Sequence, residues 1–209
     1  MLASLTSPDA SGNDLELAKY LVNVLSSLNA NLTNKTKSYE DDALKQVFIL
    51  NNYHFIYSKL KDLLALLRRA NPEIDSVYAG RIKQAKSGFM QKWLDVSMVL
   101  KQDEHFVLGQ VGAGGKLKDK ERKAVKDKFS NFNQDFEALV KKQQRWSVPD
   151  QENKEELRRE VKECLHGPYD RMYKKYRMVP FATNITKYLK FTADDVNAEV
   201  DKLFSQSSS

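Results

Sequence analysis

Between positions 40 and 70 no Gly or Pro interrupts the chain, and this stretch limits the fold more than any other. Leu44, Val47, Phe48, Leu50, Tyr53, Ile56, Tyr57, Leu60, Leu63, Leu64 and Leu67 recur mostly three and four residues apart. That spacing puts them along one side of an α-helix. At 1.5 Å per residue the helix would be roughly 45 Å long, longer than a compact globule of 209 residues needs. Asn71 and Pro72 stop it, and Pro72 suits the first turn of a following helix. The stretch predicts an all-α fold of antiparallel helices stacked as elongated bundles, a short rod.

The rest of the chain fits this expectation. Residues 1–12 read as a flexible N-terminus, and Asn13 or Asp14 can cap a first helix. Leu15, Ala18, Leu21, Val22, Leu25, Leu28 and Leu32 give that helix one apolar face, and the polar stretch 31–37 reads as a turn. A third helix over 72–100 buries Tyr78, Ile82, Ala85, Phe89, Trp93, Val96 and Leu100. A mobile loop follows at 102–115, close to a possible boundary between two stacked bundles at 101–116. A fourth helix over 116–144 carries Phe129, Phe132, Phe136, Leu139 and Val140 on one side. Asp150 is placed to cap a fifth helix, which Gly167 and Pro168 end or bend before a short sixth helix over 169–178. An irregular segment, 179–191, leads to a last helix capped by Thr192 with Asp195 three residues on. Residues 13–204 thus form the helical domain, and 205–209 read as a flexible tail.

Several functions are excluded at this level. Cys164 is the single cysteine, so no intramolecular disulfide forms and a reducing compartment is expected. The N-terminus has neither the basic start nor the apolar run of a signal peptide. The stretch from Gly109 to Lys116 suggests a phosphate loop and fails the pattern. Gln110 stands where Gly is required, and Leu117 stands where Ser or Thr is required. His54, His105 and His166 do not share metal-ligand spacing, so neither metal nor cofactor is expected. Cys164 falls on the apolar face of its helix with Leu157 and Val161, as a small core residue would. Without a nucleophile or metal site, the chain is expected to bind and not to catalyse. The aromatics keep helical spacing, which points to core packing and away from base stacking, so nucleic acid is not expected as partner.

The net charge is +6, and one segment concentrates it. Arg171, Lys174, Lys175, Arg177, Lys187 and Lys190 lie within twenty residues that hold no acidic side chain. Lys187 and Lys190 are three apart, so in a helical turn both would point one way. At about 1 kcal/mol per cation near an anionic leaflet, six supply up to ~6 kcal/mol. That falls short of the roughly 8 kcal/mol of micromolar binding, so such a patch needs multivalency or a second anchor. A second run, 116–128, mixes seven basic with three acidic residues and reads as a solvated helix face. An acidic protein is the alternative partner for the basic segment.

Six segments in order resemble one known family. They are Phe48 to Tyr53 (Phe-Ile-Leu-Asn-Asn-Tyr) followed by Phe55 and Ile56; Lys128 to Glu137 (Lys-Phe-Ser-Asn-Phe-Asn-Gln-Asp-Phe-Glu); Gln143 to Asp150 with Leu157 and Arg158; Pro168 and Tyr169 with Met172 and Tyr173; Lys187 to Thr192 (Lys-Tyr-Leu-Lys-Phe-Thr); and Leu203 with Phe204. The chain resembles the C-terminal part of exocyst complex component seven, the Exo-seventy subunit of the exocyst. The resemblance implies stacked helical bundles and a role in tethering secretory vesicles to the plasma membrane. It implies a cytoplasmic protein, peripheral at the plasma membrane and at sites of exocytosis. It also implies a tip that binds phosphatidylinositol 4,5-bisphosphate. The family's Lys-Tyr-x-Lys pair falls on Lys187 and Lys190, to which charge alone adds Lys174, Lys175, Arg177 and Arg171. Other exocyst subunits and Rho-type small GTPases are the implied protein partners. Phe191 departs from the Tyr of many members.

Overall fold

The computed structural model describes residues 8–101 and 117–205, with side chains from 12 to 100 and from 117 to 205. Every regular element among them is helical. The order is α1 (Pro8–Thr36), α2 (Asp42–Leu60), a 3-10 turn (Lys61–Leu63), α3 (Leu64–Leu67), α4 (Ile74–Lys101), α5 (Asp119–Gln143), α6 (Gln151–Tyr176) and α7 (Ala193–Val200). The expected loop at 102–115 lies outside the described residues. Two compact units divide the chain, Met1–Phe89 and Met90–Ser209, and α4 contributes to each.

In the first unit α1 begins at Pro8, ahead of the expected cap at Asn13 or Asp14. Proline fits a first helical turn because its missing N–H has no partner there in any case. Asp14 instead pairs with Arg69 at 2.8 Å. The polar stretch expected to turn at 31–37 is helical to Thr36. Its hydroxyls bond back along the helix, Thr33 to the Asn29 carbonyl at 2.9 Å and Thr36 to the Thr33 carbonyl at 2.7 Å. Such side chains serve a helix as readily as a turn. Asp41 then caps α2 by accepting from the Leu44 amide at 2.8 Å.

The long helix expected over 40–70 is divided. After Leu60 the backbone tightens into the 3-10 turn and resumes as α3. Three residues per turn shift the stripe relative to the 3.6 of an α-helix. Leu63 turns outward, whereas Leu67 is fully buried and α3 packs on α1. The core gathers Leu25, Tyr53, Leu60, Leu67, Ile74 and Tyr78. Leu28, expected on the buried face of α1, is exposed.

The second unit is built on aromatics. Trp93, Phe129, Phe132, Phe136, Tyr169 and Phe181 are fully buried. Here α6 corrects the sequence expectation of two helices, since it runs unbroken from Gln151 to Tyr176 through Gly167 and Pro168. A proline inside a helix leaves the carbonyl four residues earlier without its donor. That carbonyl belongs to Cys164, and Ser97 Oγ on α4 donates to it at 3.0 Å. Ser97 is fully buried, so the hydroxyl supplies internally what Pro168 removes. Cys164 is only partly buried, less than its place on the apolar face suggested, and its thiol lies 3.7 Å from the Trp93 carbonyl.

Asp150 caps α6 by accepting from the Asn153 amide at 2.8 Å. Thr192 and Asp195 form the expected capping box on α7. The C-terminal end returns to α5. The Phe204 amide donates to the Gln143 carbonyl at 3.2 Å, and the Arg158 guanidinium donates to the Leu203 carbonyl.

Candidate functional site

The basic segment is held by one face of α5. Phe129, Phe132, Asn133, Phe136 and Glu137 fall at helix positions 0, 3, 4, 7 and 8, which form a single stripe. Phe129 stacks on Phe181 with ring centres 5.8 Å apart. Phe132 packs on Tyr169 at 4.8 Å. Asn133 Nδ2 donates to the Tyr188 carbonyl at 2.9 Å. Phe136 meets Phe191 edge-on at 5.4 Å, and Glu137 forms an ion pair with Lys190. From the other side the Tyr169 hydroxyl donates to the Phe191 carbonyl at 2.8 Å. Burial pushes the Tyr169 phenol far above its ordinary range, so it stays a neutral donor. The segment after α6 is therefore irregular in backbone yet anchored at both flanks and in its middle.

Each residue expected in the site has a defined setting. Lys187 is exposed and lies in a single turn, in which the Tyr188 and Leu189 amides both donate to the Ile185 carbonyl at 2.9 Å. Lys190 is exposed but lies beyond that turn, so helical spacing is not what orients it. Its ammonium is set by Glu137 and lies 5.6 Å above the Phe191 ring. Lys174 is exposed and pairs with Asp170 at 2.7 Å. Lys175 is half-buried against the Tyr176 ring, 5.3 Å from its centre. Arg171 and Arg177 are exposed.

Lys174 and Arg177 line a cavity of about 400 Å³ with His166, Asp170, Tyr173 and the Thr192–Asp194 start of α7. Lys187 and Lys190 are not among its lining residues. Asn197 holds the His166 ring through Nδ1 at 3.0 Å. The Asp195 carboxyl beside this cavity is lowered below the usual range, first by the Thr192 amide and then by its hydroxyl.

Sequence reasoning missed Glu137 and Asp170. Asp170 lies one residue before the acid-free stretch 171–190. Glu137 is 53 residues from Lys190, and only the three-four spacing of the α5 stripe hinted that its position shares a face with the aromatics. These carboxylates make the surface less basic than its sequence. The ammonium and guanidinium groups of this surface are of the kind that suits anionic oxygens. Among the described residues no group of three His, Cys, Asp or Glu could hold a metal ion, and no helix is long and apolar enough to cross a membrane.

A sequence profile described as the C-terminal part of the Exo70 exocyst complex subunit matches residues 3–202. The chain belongs to the Exo70 family of exocyst subunits. Exocyst complex component 7 of Drosophila melanogaster is 35% identical over 199 residues, which cover 93% of this chain and 28% of the fly protein. Its Homo sapiens counterpart is 34% identical over 215 residues, covering 99% of this chain and 29% of the human one. A solved structure of Saccharomyces cerevisiae Exo70 superimposes with a TM-score of 0.62 at 26% identity, over 80% of this chain and 29% of the yeast chain. The helical-bundle fold is thus that of Exo70, and the chain spans under a third of the length of these relatives.

Proposed function

We propose that this Exo70 region is a membrane-tethering module of the exocyst in exocytosis. It binds phosphatidylinositol 4,5-bisphosphate at the plasma membrane through Lys187 and Lys190, with Arg171, Lys174, Lys175 and Arg177 adding to the positive field. The supporting observation is the anchoring of residues 181–191 on α5 and Tyr169, which keeps two exposed lysines on a fixed backbone. A site with its backbone already ordered loses less entropy on binding.

The contact is weak by itself. Lys174 and Lys190 already have carboxylate partners, so the six cations yield less than the up to ~6 kcal/mol of unpaired ones. Attachment then depends on avidity from other exocyst subunits and on peripheral approach from the cytoplasm. The test is cosedimentation of the chain with vesicles matched in total charge, with and without phosphatidylinositol 4,5-bisphosphate. Preference for the phosphoinositide supports the proposal, and equal binding to both kinds of vesicle contradicts it.

A second reading takes the same surface as a dock for an acidic protein segment, such as one from another exocyst subunit. It is favoured by the fact that Lys174 and Lys190 hold carboxylates within the fold. Binding to an acidic partner that is lost on charge reversal at Lys187 and Lys190, with no vesicle binding, would select it.

A further inference from the structure

We propose that the turn after α6 is an apolar anchor, in which Met178 enters the acyl-chain boundary of an anionic leaflet while the cations around it hold the headgroups. The inference rests on the membrane contact proposed above and supplies the second anchor which that contact needs.

Met178 is 83% exposed, more than any other large apolar side chain among the described residues. A single exposed methionine means little on a protein surface, but this one is held out by the fold. Tyr176 before it and Phe181 after it are both buried, and their rings meet edge-on with centres 6.4 Å apart. Between them the backbone closes on itself. The Val179 amide donates to the Tyr176 carbonyl at 3.0 Å, and the Phe181 amide donates to the Val179 carbonyl at 2.8 Å. With both ends pinned in the core, Met178 has no inward place to go. Pro180 is exposed and Val179 half-buried, so three consecutive apolar residues form the turn.

Cations surround that turn. Arg177 precedes Met178 and is exposed. Its backbone is still helical, with its amide donating to the Tyr173 carbonyl at 2.9 Å. Arg171, Lys174 and Met178 therefore fall at helix positions 0, 3 and 7, on one side. On the other flank the Phe181 ring meets the Tyr188 ring edge-on at 5.8 Å, so this turn adjoins the one that carries Lys187. No acidic residue lies between 171 and 190. An apolar projection ringed by long cationic side chains matches a leaflet, whose charged headgroups lie just outside its hydrocarbon. An unbranched thioether also adapts to irregular apolar surroundings. Moving one methionine fully out of water shifts an equilibrium by roughly ten- to a hundredfold. The cations alone fall short of micromolar binding by a similar factor.

The experiment is cosedimentation of the wild-type chain, Met178→Ser and Met178→Leu with phosphatidylinositol 4,5-bisphosphate vesicles. Met178→Ser should bind about tenfold more weakly, and Met178→Leu should keep the wild-type affinity. Insertion is read separately with Met178→Trp on vesicles whose acyl chains carry bromine, which quenches an indole it touches. The native Trp93 and Trp146 are buried, so wild type should keep its fluorescence while Met178→Trp loses part of it. Undiminished binding by Met178→Ser, or a bound Met178→Trp that is not quenched, would overturn the anchor and leave the phosphoinositide contact standing. Equal binding of wild type to vesicles with and without the phosphoinositide would instead sink the headgroup reading, and quenching would still decide insertion. Wild type bound by no vesicle would also overturn the anchor, because a second anchor should make the isolated chain bind measurably. Loss of an acidic protein partner in Met178→Ser, with no vesicle binding, would assign the turn to a protein dock.

Discussion

Asn133 on α5 donates to the backbone carbonyl of Tyr188 at 2.9 Å, and this single bond fixes the middle of the basic loop. Asn133 is 7% exposed and its Oδ1 has no protein partner, so it contributes through its amide donor. Asn133→Ala should destabilise the chain by about 1–3 kcal/mol, the usual cost of a stranded buried group. Urea denaturation measures that loss. Amide exchange should quicken at Tyr188 and Leu189, whose N–H groups close the turn on Ile185. Unchanged exchange there would show that the aromatic contacts hold the loop without Asn133.

Ser97 and Pro168 should be coupled although 71 positions separate them in the chain. Ser97→Ala strands the Cys164 carbonyl and should cost about 1–3 kcal/mol. Pro168→Ala restores an N–H that can reach the same carbonyl along the helix. In that background the loss from Ser97→Ala should shrink by about 1 kcal/mol. Denaturation of the four proteins of the double-mutant cycle gives the coupling, and simple additivity would contradict the account.

How far the sequence foretold this structure follows the separation of the interacting groups. The caps at Asp150 and Thr192 were legible because donor and acceptor lie three residues apart. The aromatic face of α5 was legible for the same reason, as a local three-four repeat. Pro168 misled because its missing donor is replaced from α4, across 67 residues between Ser97 and Cys164. The stretch 31–37 misled because Thr33 and Thr36 bond to helix carbonyls as easily as they would to a turn. At the site, charge and family resemblance brought out Lys187 and Lys190. Neither could show that a carboxylate from α5 would already occupy Lys190.

Acid should weaken the start of α7. The Thr192 amide and hydroxyl lower the Asp195 carboxyl, so its charged form is favoured in the folded state. A depressed carboxylate adds stability above its unfolded value of about 3.9 and loses it as pH falls through the folded value. Wild type should therefore exceed Asp195→Asn in thermal midpoint at neutral pH, and the gap should close in strong acid. A gap that persists there would mean that Asp195 stabilises α7 by something other than its charge.

The central claim is that Lys187 and Lys190 carry the membrane contact of this Exo70 region. Its most direct test is vesicle cosedimentation of Lys187→Glu with Lys190→Glu, on phosphatidylinositol 4,5-bisphosphate vesicles, beside the wild-type chain. Both side chains are exposed, so helical circular dichroism should not change. The account predicts that the double variant loses phosphoinositide binding while remaining folded. Binding retained by a folded double variant would contradict it.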